Sequence, residues 1–198
     1  RSLPRGYYRE LPKLAWRERA GEVRVYAMAI ELIRHSDSRV DRQQLVRFMN
    51  SYQAIAPLTI GELWAWPSML KLALIENLRR LIEETLLARE AVRAADAYVA
   101  RIDASGQGTP PPLPQRLHPG YVVQLLQRLR EYGPRLAAVR SAVDEHLEAQ
   151  QTTSEDAIRG EHQRQAAAQV SVANAITSLR FCASLDWSQY FEAVSLIE

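Results

Sequence analysis

The chain has 198 residues, of which 47% are hydrophobic and 24% charged, a composition typical of a globular protein and not of a disordered or fibrous one. Its 25 basic and 23 acidic residues leave a formal net charge of +2. Because nucleic-acid-binding proteins carry a sustained excess of Lys and Arg, we expect no nucleic acid partner. With Cys182 as its single cysteine, the chain cannot form an internal disulfide bond or a cysteine-based zinc site.

No apolar run in the sequence is long enough to predict a membrane span. The best candidate, residues 69–87, is interrupted by Lys71 and Glu76, whereas a spanning helix needs roughly 18 or more apolar residues in succession. The sequence begins at Arg1, without a methionine or a signal peptide, and stops abruptly after an apolar run. We therefore expect a segment of a longer polypeptide that contains no membrane span of its own.

The first third of the chain predicts an arm followed by two helices. Residues 1–20 contain two prolines and a glycine and predict an extended N-terminal arm whose tyrosines and leucines pack elsewhere. Apolar residues at helical spacing predict a first helix over 22–34. Asp41 followed by Gln44 resembles a capping box and predicts a second helix that reaches about residue 54.

The strongest helical pattern lies in the middle of the chain. Thr59 and Glu62 form another capping box that predicts a helix start. Pro67 lacks a backbone donor, so we expect the helix to break there and to restart. From 68 to 102 the apolar periodicity then predicts one helix about 50 Å long at 1.5 Å per residue.

A change of composition predicts a boundary after this long helix. Residues 104–118 are rich in glycine and proline, as linkers are. We therefore predict the N-terminal arm over 1–20, a helical subdomain over 21–103, a linker over 104–118, and a second helical subdomain over 119–198 packed on the first.

The second half of the chain predicts four more helices. Pro119 is typical of a first helical position, and Gly133 with Pro134 ends that helix and starts the next. Thr153 and Asp186 predict the N-terminal caps of a long and a short final helix. Hairpin signals are missing from the sequence. We therefore predict an all-α fold, an irregular bundle or array of about seven or eight helices with one very long helix.

The sequence carries no complete set of catalytic residues. It has no Asp-x-Asp pair, no glycine-rich phosphate loop before a helix, no His-Glu-x-x-His pattern and no Gly-x-Ser-x-Gly pattern. We therefore predict no catalytic residue, no metal ligand and no cofactor of this chain itself. An acid and base pair for glycoside cleavage stays open, since the fold and not the sequence spacing sets the distance between two carboxylates.

Several side chains fit two interpretations. Tyr7, Tyr8, Trp64 and Trp66 have faces on which sugar rings stack, but the two tryptophans beside a helix start fit core packing better. Arginines on the alanine-rich helix after residue 153 fit either an anion site or links between helices.

Ordered strings along the chain resemble the N-terminal region of bacterial cyclic β-1,2-glucan synthases. The match extends from one end of the sequence to the other and weakens mainly at 16–20 and 103–120. The strings in the first half are LPRGYYRELPKL at 3–14, RVY at 24–26, PLTIGELW at 57–64 and ALIENLRRL at 73–81. Those in the second half are EHQRQAAA at 161–168, NAITSLR at 174–180, DW at 186–187 and FEAVSL at 191–196.

This resemblance implies a context that composition and spacing do not give. Members of the family are large membrane glycosyltransferases that use UDP-glucose and a divalent metal to build the glucan. It implies that the nucleotide site, the metal and the membrane spans belong to other parts of the polypeptide, and that this segment lies on the cytoplasmic side of the bacterial inner membrane. Its partners would be the remaining domains of the same chain.

Three functions stay open from the sequence. The first is a non-catalytic scaffold or docking module of the synthase. The second is a carbohydrate-binding module for the growing glucan, and the third is a freestanding helical regulator or homodimer, motivated by the apolar helix over 68–102. The residues that we expect in a ligand or docking groove are Tyr7, Tyr8, Glu62, Trp64, Arg164 and Arg180.

Overall fold

The computed structural model describes residues 6–15, 19–105 and 111–196, and in these ranges it contains α-helices and no strand. The all-α prediction and the one very long helix are therefore confirmed. Parts of the predicted arm and linker, residues 1–5, 16–18 and 106–110, lie outside the described residues. The helices are α1 (Arg24–His35), α2 (Arg42–Gln53), α3 (Ile60–Ser105), α4 (Pro119–Tyr132), α5 (Ala137–Ala149), α6 (Ser154–Ser184) and α7 (Trp187–Val194).

The chain divides into two compact units at positions other than the predicted boundaries. Unit 1 comprises residues 1–80 and 169–198, and unit 2 comprises residues 81–168. Both crossings fall inside continuous helices, α3 and α6, where no glycine or proline marks them. Linker composition at 104–118 therefore does not coincide with a division between units.

Unit 1 is built around the first part of α3. The apolar side chains of α1, α2 and α7 and of the last part of α6 pack with it into one core. Trp66 is fully buried and stacks on Phe48, with 6.0 Å between ring centroids. The buried Gln53 amide donates to the Val194 carbonyl at 2.7 Å, which ties α2 to the end of α7.

The described part of the predicted arm packs on unit 1. Leu11 is buried in the core of this unit. Lys13 and Val23 form an isolated antiparallel bridge, and the Arg24 amide donates to the Pro12 carbonyl at 2.8 Å. These bonds hold the segment against the start of α1.

Helix α3 starts where the capping box predicts but continues where we expected a break. The Glu62 amide donates to the Thr59 hydroxyl at 3.2 Å, and the Thr59 amide donates to the Glu62 carboxylate at 3.0 Å. Pro67 lies inside the helix, so the predicted break is wrong. The buried residues on either side of Pro67, above all Trp66 and Leu70, explain this because their packing offsets the roughly 3 kcal/mol that an internal proline costs.

Unit 2 has a core of its own, made by the later part of α3 with α4 and α5. Pro119 occupies the first turn of α4, as predicted, and the His118 ring accepts from the Gly120 amide at 3.0 Å. The Tyr98 hydroxyl donates to the Pro111 carbonyl at 2.7 Å, so the described end of the predicted linker packs against this unit.

The predicted caps of the last two helices are present. The Asp156 amide donates to the Thr153 hydroxyl at 3.1 Å before α6, and Asp186 accepts from the Ser188 and Gln189 amides before α7. Among the helices of the described residues, none combines the length and the apolar character that crossing a membrane requires.

Candidate functional site

The structure places the six residues of the predicted groove in both units. Arg164 lies in unit 2, where it pairs with the Glu161 carboxylate on the same helix at 2.9 Å. Arg180 is exposed on α6 in unit 1. The other four belong to unit 1 and lie in the N-terminal segment or in the first turns of α3; they are Tyr7, Tyr8, Glu62 and Trp64.

Glu62 is a buried member of an ion pair. Arg24 binds it through two donors, with Nε 2.7 Å from Oε1 and Nη2 2.6 Å from Oε2. Burial acts to raise the pKa of the Glu62 carboxyl, but hydrogen bonds from Arg24 and Thr59 hold that pKa below its ordinary value. Because Arg24 also donates to the Pro57 carbonyl at 3.2 Å, this pair fixes the loop that leads into α3.

Tyr7 contacts the same helix start from the N-terminal segment. Its hydroxyl donates to the Gly61 carbonyl at 2.8 Å, and its ring meets Tyr8 edge to face with centroids 5.9 Å apart. A Cβ at Gly61 would come within 3.2 Å of the Tyr7 hydroxyl, so the glycine permits this approach. Burial, and to a lesser degree Tyr8, raises the pKa of Tyr7.

Trp64 differs from its neighbour Trp66. We expected both rings to pack in the core, but only Trp66 does, and Trp64 is 59% exposed. It belongs to a row of large apolar side chains that α3 presents to solvent in unit 1, each between 47% and 59% exposed. We call this row the α3 stripe; its members are Ile60, Trp64, Leu72 and Ile75.

The members of the α3 stripe lie on one side of the helix, where Ser68 and Lys71 separate Ile60 and Trp64 from Leu72 and Ile75. At about 100° per residue its four members fall within an arc of about 120°. Core side chains occupy the remaining directions, since Leu63, Trp66 and Leu70 are all buried. The stripe is therefore an apolar surface of unit 1 that no described residue of the core covers.

Unit 1 also contains a cleft of about 570 Å³, which we call the unit 1 cleft. It is lined by residues of α1 and of the segments on either side of α1, and by residues of α3 and α6. Ile30, Ile33 and Ala73 supply apolar surface. Its polar lining residues are Arg19, Arg34, Asp37, Glu76, Asn77, Arg79, Arg80 and Ser171.

A turn with unusual backbone geometry lies beside the unit 1 cleft. Asp37 and Ser38 have φ of 47° and 64°, in the left-handed region that non-glycine residues rarely adopt. Side chains of α6 hold this turn, since Asn174 donates to the Asp37 carbonyl at 3.0 Å and Ser178 donates to the Ser38 carbonyl at 2.7 Å. Asn77 of α3 donates to the Ser38 hydroxyl at 2.6 Å. Two helices, α3 and α6, therefore fix the position of Asp37.

Three arginines of the unit 1 cleft have carboxylate partners. Arg79 donates to Glu76 through Nη2 at 2.6 Å and through Nε at 3.0 Å, and hydrogen bonding from Arg79 lowers the pKa of the Glu76 carboxyl. Arg19 and Arg34 each lie 3.4 Å from Glu31. The lining therefore combines four arginines with two carboxylates, and the partners of Arg19, Arg34 and Arg79 offset part of its positive charge.

No local pattern in the sequence predicts the unit 1 cleft. The sequence feature that corresponds to the cleft is a set of polar residues close to apolar ones in the same helix, such as Asn77 next to Leu78. Which polar side chains come together depends on how α1, α3 and α6 pack against one another, and no local sequence pattern contains that information. Within the described residues, no group of three or more His, Cys, Asp or Glu side chains is arranged to hold a metal ion.

The comparison with known proteins agrees with the resemblance that the sequence strings indicate. The chain is 34% identical over 206 aligned residues to the cyclic beta-(1,2)-glucan synthase NdvB of Rhizobium meliloti (strain 1021). That alignment takes in the whole of this chain and 7% of the relative's length. No family model matches the sequence. The resemblance to a cyclic β-1,2-glucan synthase is therefore confirmed along the full chain.

Proposed function

We propose that this chain, which is similar over its whole length to a cyclic β-(1,2)-glucan synthase, is a non-catalytic helical module that docks other parts of the same synthase polypeptide. The observation that carries the proposal is the α3 stripe, with Ile60, Trp64, Leu72 and Ile75 exposed on one face. The relative is far longer than the match, which spans 7% of it, so such a module has other segments to contact.

The chemistry of the α3 stripe fits a protein partner. Contiguous large apolar side chains on a surface mark interaction sites more often than single exposed ones do. Ile60 and Trp64 are four residues apart, and Leu72 and Ile75 three, which is the spacing with which one helix packs into the apolar groove of another. Trp64 is a side chain type that is enriched among residues that dominate binding energy.

The start of α3 is rigid, which favours docking. Glu62, two residues before Trp64, is fully buried in its pair with Arg24, and Tyr7 binds the backbone of Gly61. A surface that is already held in its bound conformation loses less entropy when a partner binds. The ion pair and the tyrosine therefore support the stripe without being part of it.

The wider context of this proposal is the synthase itself. The parent polypeptide is a membrane glycosyltransferase that transfers glucose from UDP-glucose with a divalent metal, and this module lies on the cytoplasmic side of the bacterial inner membrane. UDP-glucose and the metal bind to other domains. A homodimer formed through the same stripe is the alternative that the test must separate from docking within one chain.

A photo-crosslinker placed at residue 64 of the full synthase tests the proposal. We expect crosslinks from that position to synthase peptides outside this 198-residue segment. The matched control carries the crosslinker at Gln43, an exposed polar position of α2 in the same unit, and should give no such crosslinks. Crosslinks that join only two copies of this module would support the homodimer and contradict docking within the chain.

A further inference from the structure

The unit 1 cleft is lined by residues other than those of the α3 stripe, and its size permits a small ligand. A volume of about 570 Å³ lies within the 300 to 1,000 Å³ range of small-ligand pockets. Guanidinium groups donate hydrogen bonds and carboxylates accept them, while the Asn77 amide and the Ser171 hydroxyl do both. The cleft therefore offers donors and acceptors in a mixture.

The pairing of charges disfavours a multiply charged anion as the ligand. Arg79 is bound by Glu76, and Arg19 and Arg34 lie within 3.4 Å of Glu31. An anion would have to compete with these carboxylates and would be repelled by them. A neutral ligand with many hydroxyl groups is not repelled by the carboxylates, and each hydroxyl can donate to a carboxylate and accept from a guanidinium without separating a charge pair.

The apolar part of the lining suits the same kind of ligand. Ile30, Ile33 and Ala73 give the cleft an apolar surface among its polar groups. A sugar ring has C–H groups on its faces and hydroxyls around its edge, so it can pack on such a surface while its hydroxyls reach the polar residues. Polar residues outnumber these apolar ones in the lining, which suits a ligand that is itself rich in hydroxyl groups.

Asp37 is presented to the unit 1 cleft in a fixed position. Its backbone is held in the left-handed region by the bond from Asn174 and by the bonds that Ser178 and Asn77 make to Ser38. Within the described residues its own carboxylate makes no hydrogen bond or ion pair, and it is exposed. Left-handed residues commonly end helices, and here the Ser38 amide bonds back to the Ile33 carbonyl at 3.0 Å, so the end of α1 sets the position of the Asp37 carboxylate.

We propose that the unit 1 cleft binds a neutral oligosaccharide, with the carboxylates of Asp37 and Glu76 accepting hydrogen bonds from sugar hydroxyls and the arginines and Asn77 donating to them. The choice of a β-(1,2)-linked glucan as that oligosaccharide rests on the proposed function. This site differs from the groove around Tyr7 and Trp64 that the sequence predicts.

A titration of the 198-residue chain with a β-(1,2)-linked glucose trisaccharide, followed by two-dimensional NMR, tests the proposal. We expect saturable shifts of the Asn77 and Ser171 amide signals. Asp37→Asn should weaken the trisaccharide affinity about fivefold to tenfold, since a hydrogen bond to a charged acceptor is roughly twice as strong as one to a neutral acceptor. Asn tolerates left-handed backbone, so the turn is preserved.

A matched control and a second variant make the outcome decisive. Glu192→Gln removes one exposed carboxylate of α7 in the same unit and should leave the affinity unchanged. Should Asp37→Asn disturb the turn, Arg34→Gln removes a guanidinium of the same lining and should weaken binding similarly. Absence of saturable shifts, an affinity in both Asp37→Asn and Arg34→Gln that equals that of the wild type, or saturation by inorganic pyrophosphate instead of the trisaccharide would each overturn the proposal. Crosslinking at residue 64 does not involve the cleft, so either proposal can fail alone.

Discussion

At the residue scale, the buried carboxylate of Glu62 connects separate stretches of unit 1 through its hydrogen bonds. Its oxygens accept from Arg24 and Thr59, and each partner holds a different stretch of chain against the start of α3. Removing one member of a buried pair leaves the other without its partner, which costs about 3 to 5 kcal/mol in fully buried cases. Arg24 keeps some contact with water, so the cost here lies at or below the lower end of that range.

We predict that Glu62→Gln lowers the free energy of unfolding by about 2 to 3 kcal/mol at pH 7, measured by urea denaturation. The pKa of Glu62 is lower in the folded chain, so its stabilisation is present above the ordinary carboxyl pKa of 4.5 and is lost as the pH falls through the folded value. The difference between wild type and variant should therefore shrink below pH 4.5. A difference that stays constant from pH 7 to pH 3 would contradict this assignment, and Glu192→Gln serves as the neutral control.

Cys182 allows a second prediction at this scale. Its side chain is fully buried, and burial raises the pKa of the thiol to about 11. Since the thiolate is the reactive form, we expect a thiol reagent at pH 8 to leave the folded chain unmodified and to label one thiol per chain in concentrated urea. Rapid labelling without denaturant would show that the α6 segment around Cys182 opens easily.

At the scale of elements, Pro67 allows us to ask which interactions keep α3 helical around this position. The helix passes through this residue although proline removes one backbone hydrogen bond. If the packing of neighbouring core residues compensates for the lost hydrogen bond, replacing Pro67 should restore the bond and leave that packing unchanged. The side chain of Pro67 is half-buried, so little apolar contact is lost with it.

We therefore predict that Pro67→Ala raises the free energy of unfolding by about 1 to 3 kcal/mol, as judged by thermal and urea denaturation. Ser68→Ala, at the exposed position next to it, controls for the general helix preference of alanine. A variant less stable than wild type would mean that the proline ring itself, and not the packing around it, keeps this part of α3 in place.

Helix starts could be predicted from the sequence, whereas the partners of many side chains could not. The caps at Thr59, Thr153 and Asp186 bond within three residues, so their spacing in the sequence is the interaction itself. The Arg24 to Glu62 pair joins residues 38 apart, and no local pattern records it. The same limit applies to Trp64 and Trp66, because periodicity cannot say which direction from α3 the rest of unit 1 occupies.

At the scale of the whole molecule, the chain leaves unit 1, forms unit 2 as one continuous segment and returns. Glycine and proline at 104–118 predicted a boundary, but the two crossings lie inside α3 and α6. A boundary inside a continuous helix is not marked by the glycines and prolines that mark turns. The sequence could therefore indicate two cores but not the residues at which the chain passes from one unit to the other. The cleft shares this difficulty, since residues from α1, α3 and α6 meet there only after the fold has formed.

Because each unit has its own buried core, we predict that the two cores respond separately to mutation. Leu45 and Leu125 are fully buried, the first in unit 1 and the second in unit 2. Truncation of such a leucine to alanine costs about 2 to 5 kcal/mol. We expect Leu125→Ala to lower hydrogen-exchange protection mainly at α4 and α5 amides, and Leu45→Ala mainly at α1 and α2 amides, measured by NMR under native conditions. Equal loss across both units in either variant would show instead that α3 and α6 couple the cores into one cooperative structure.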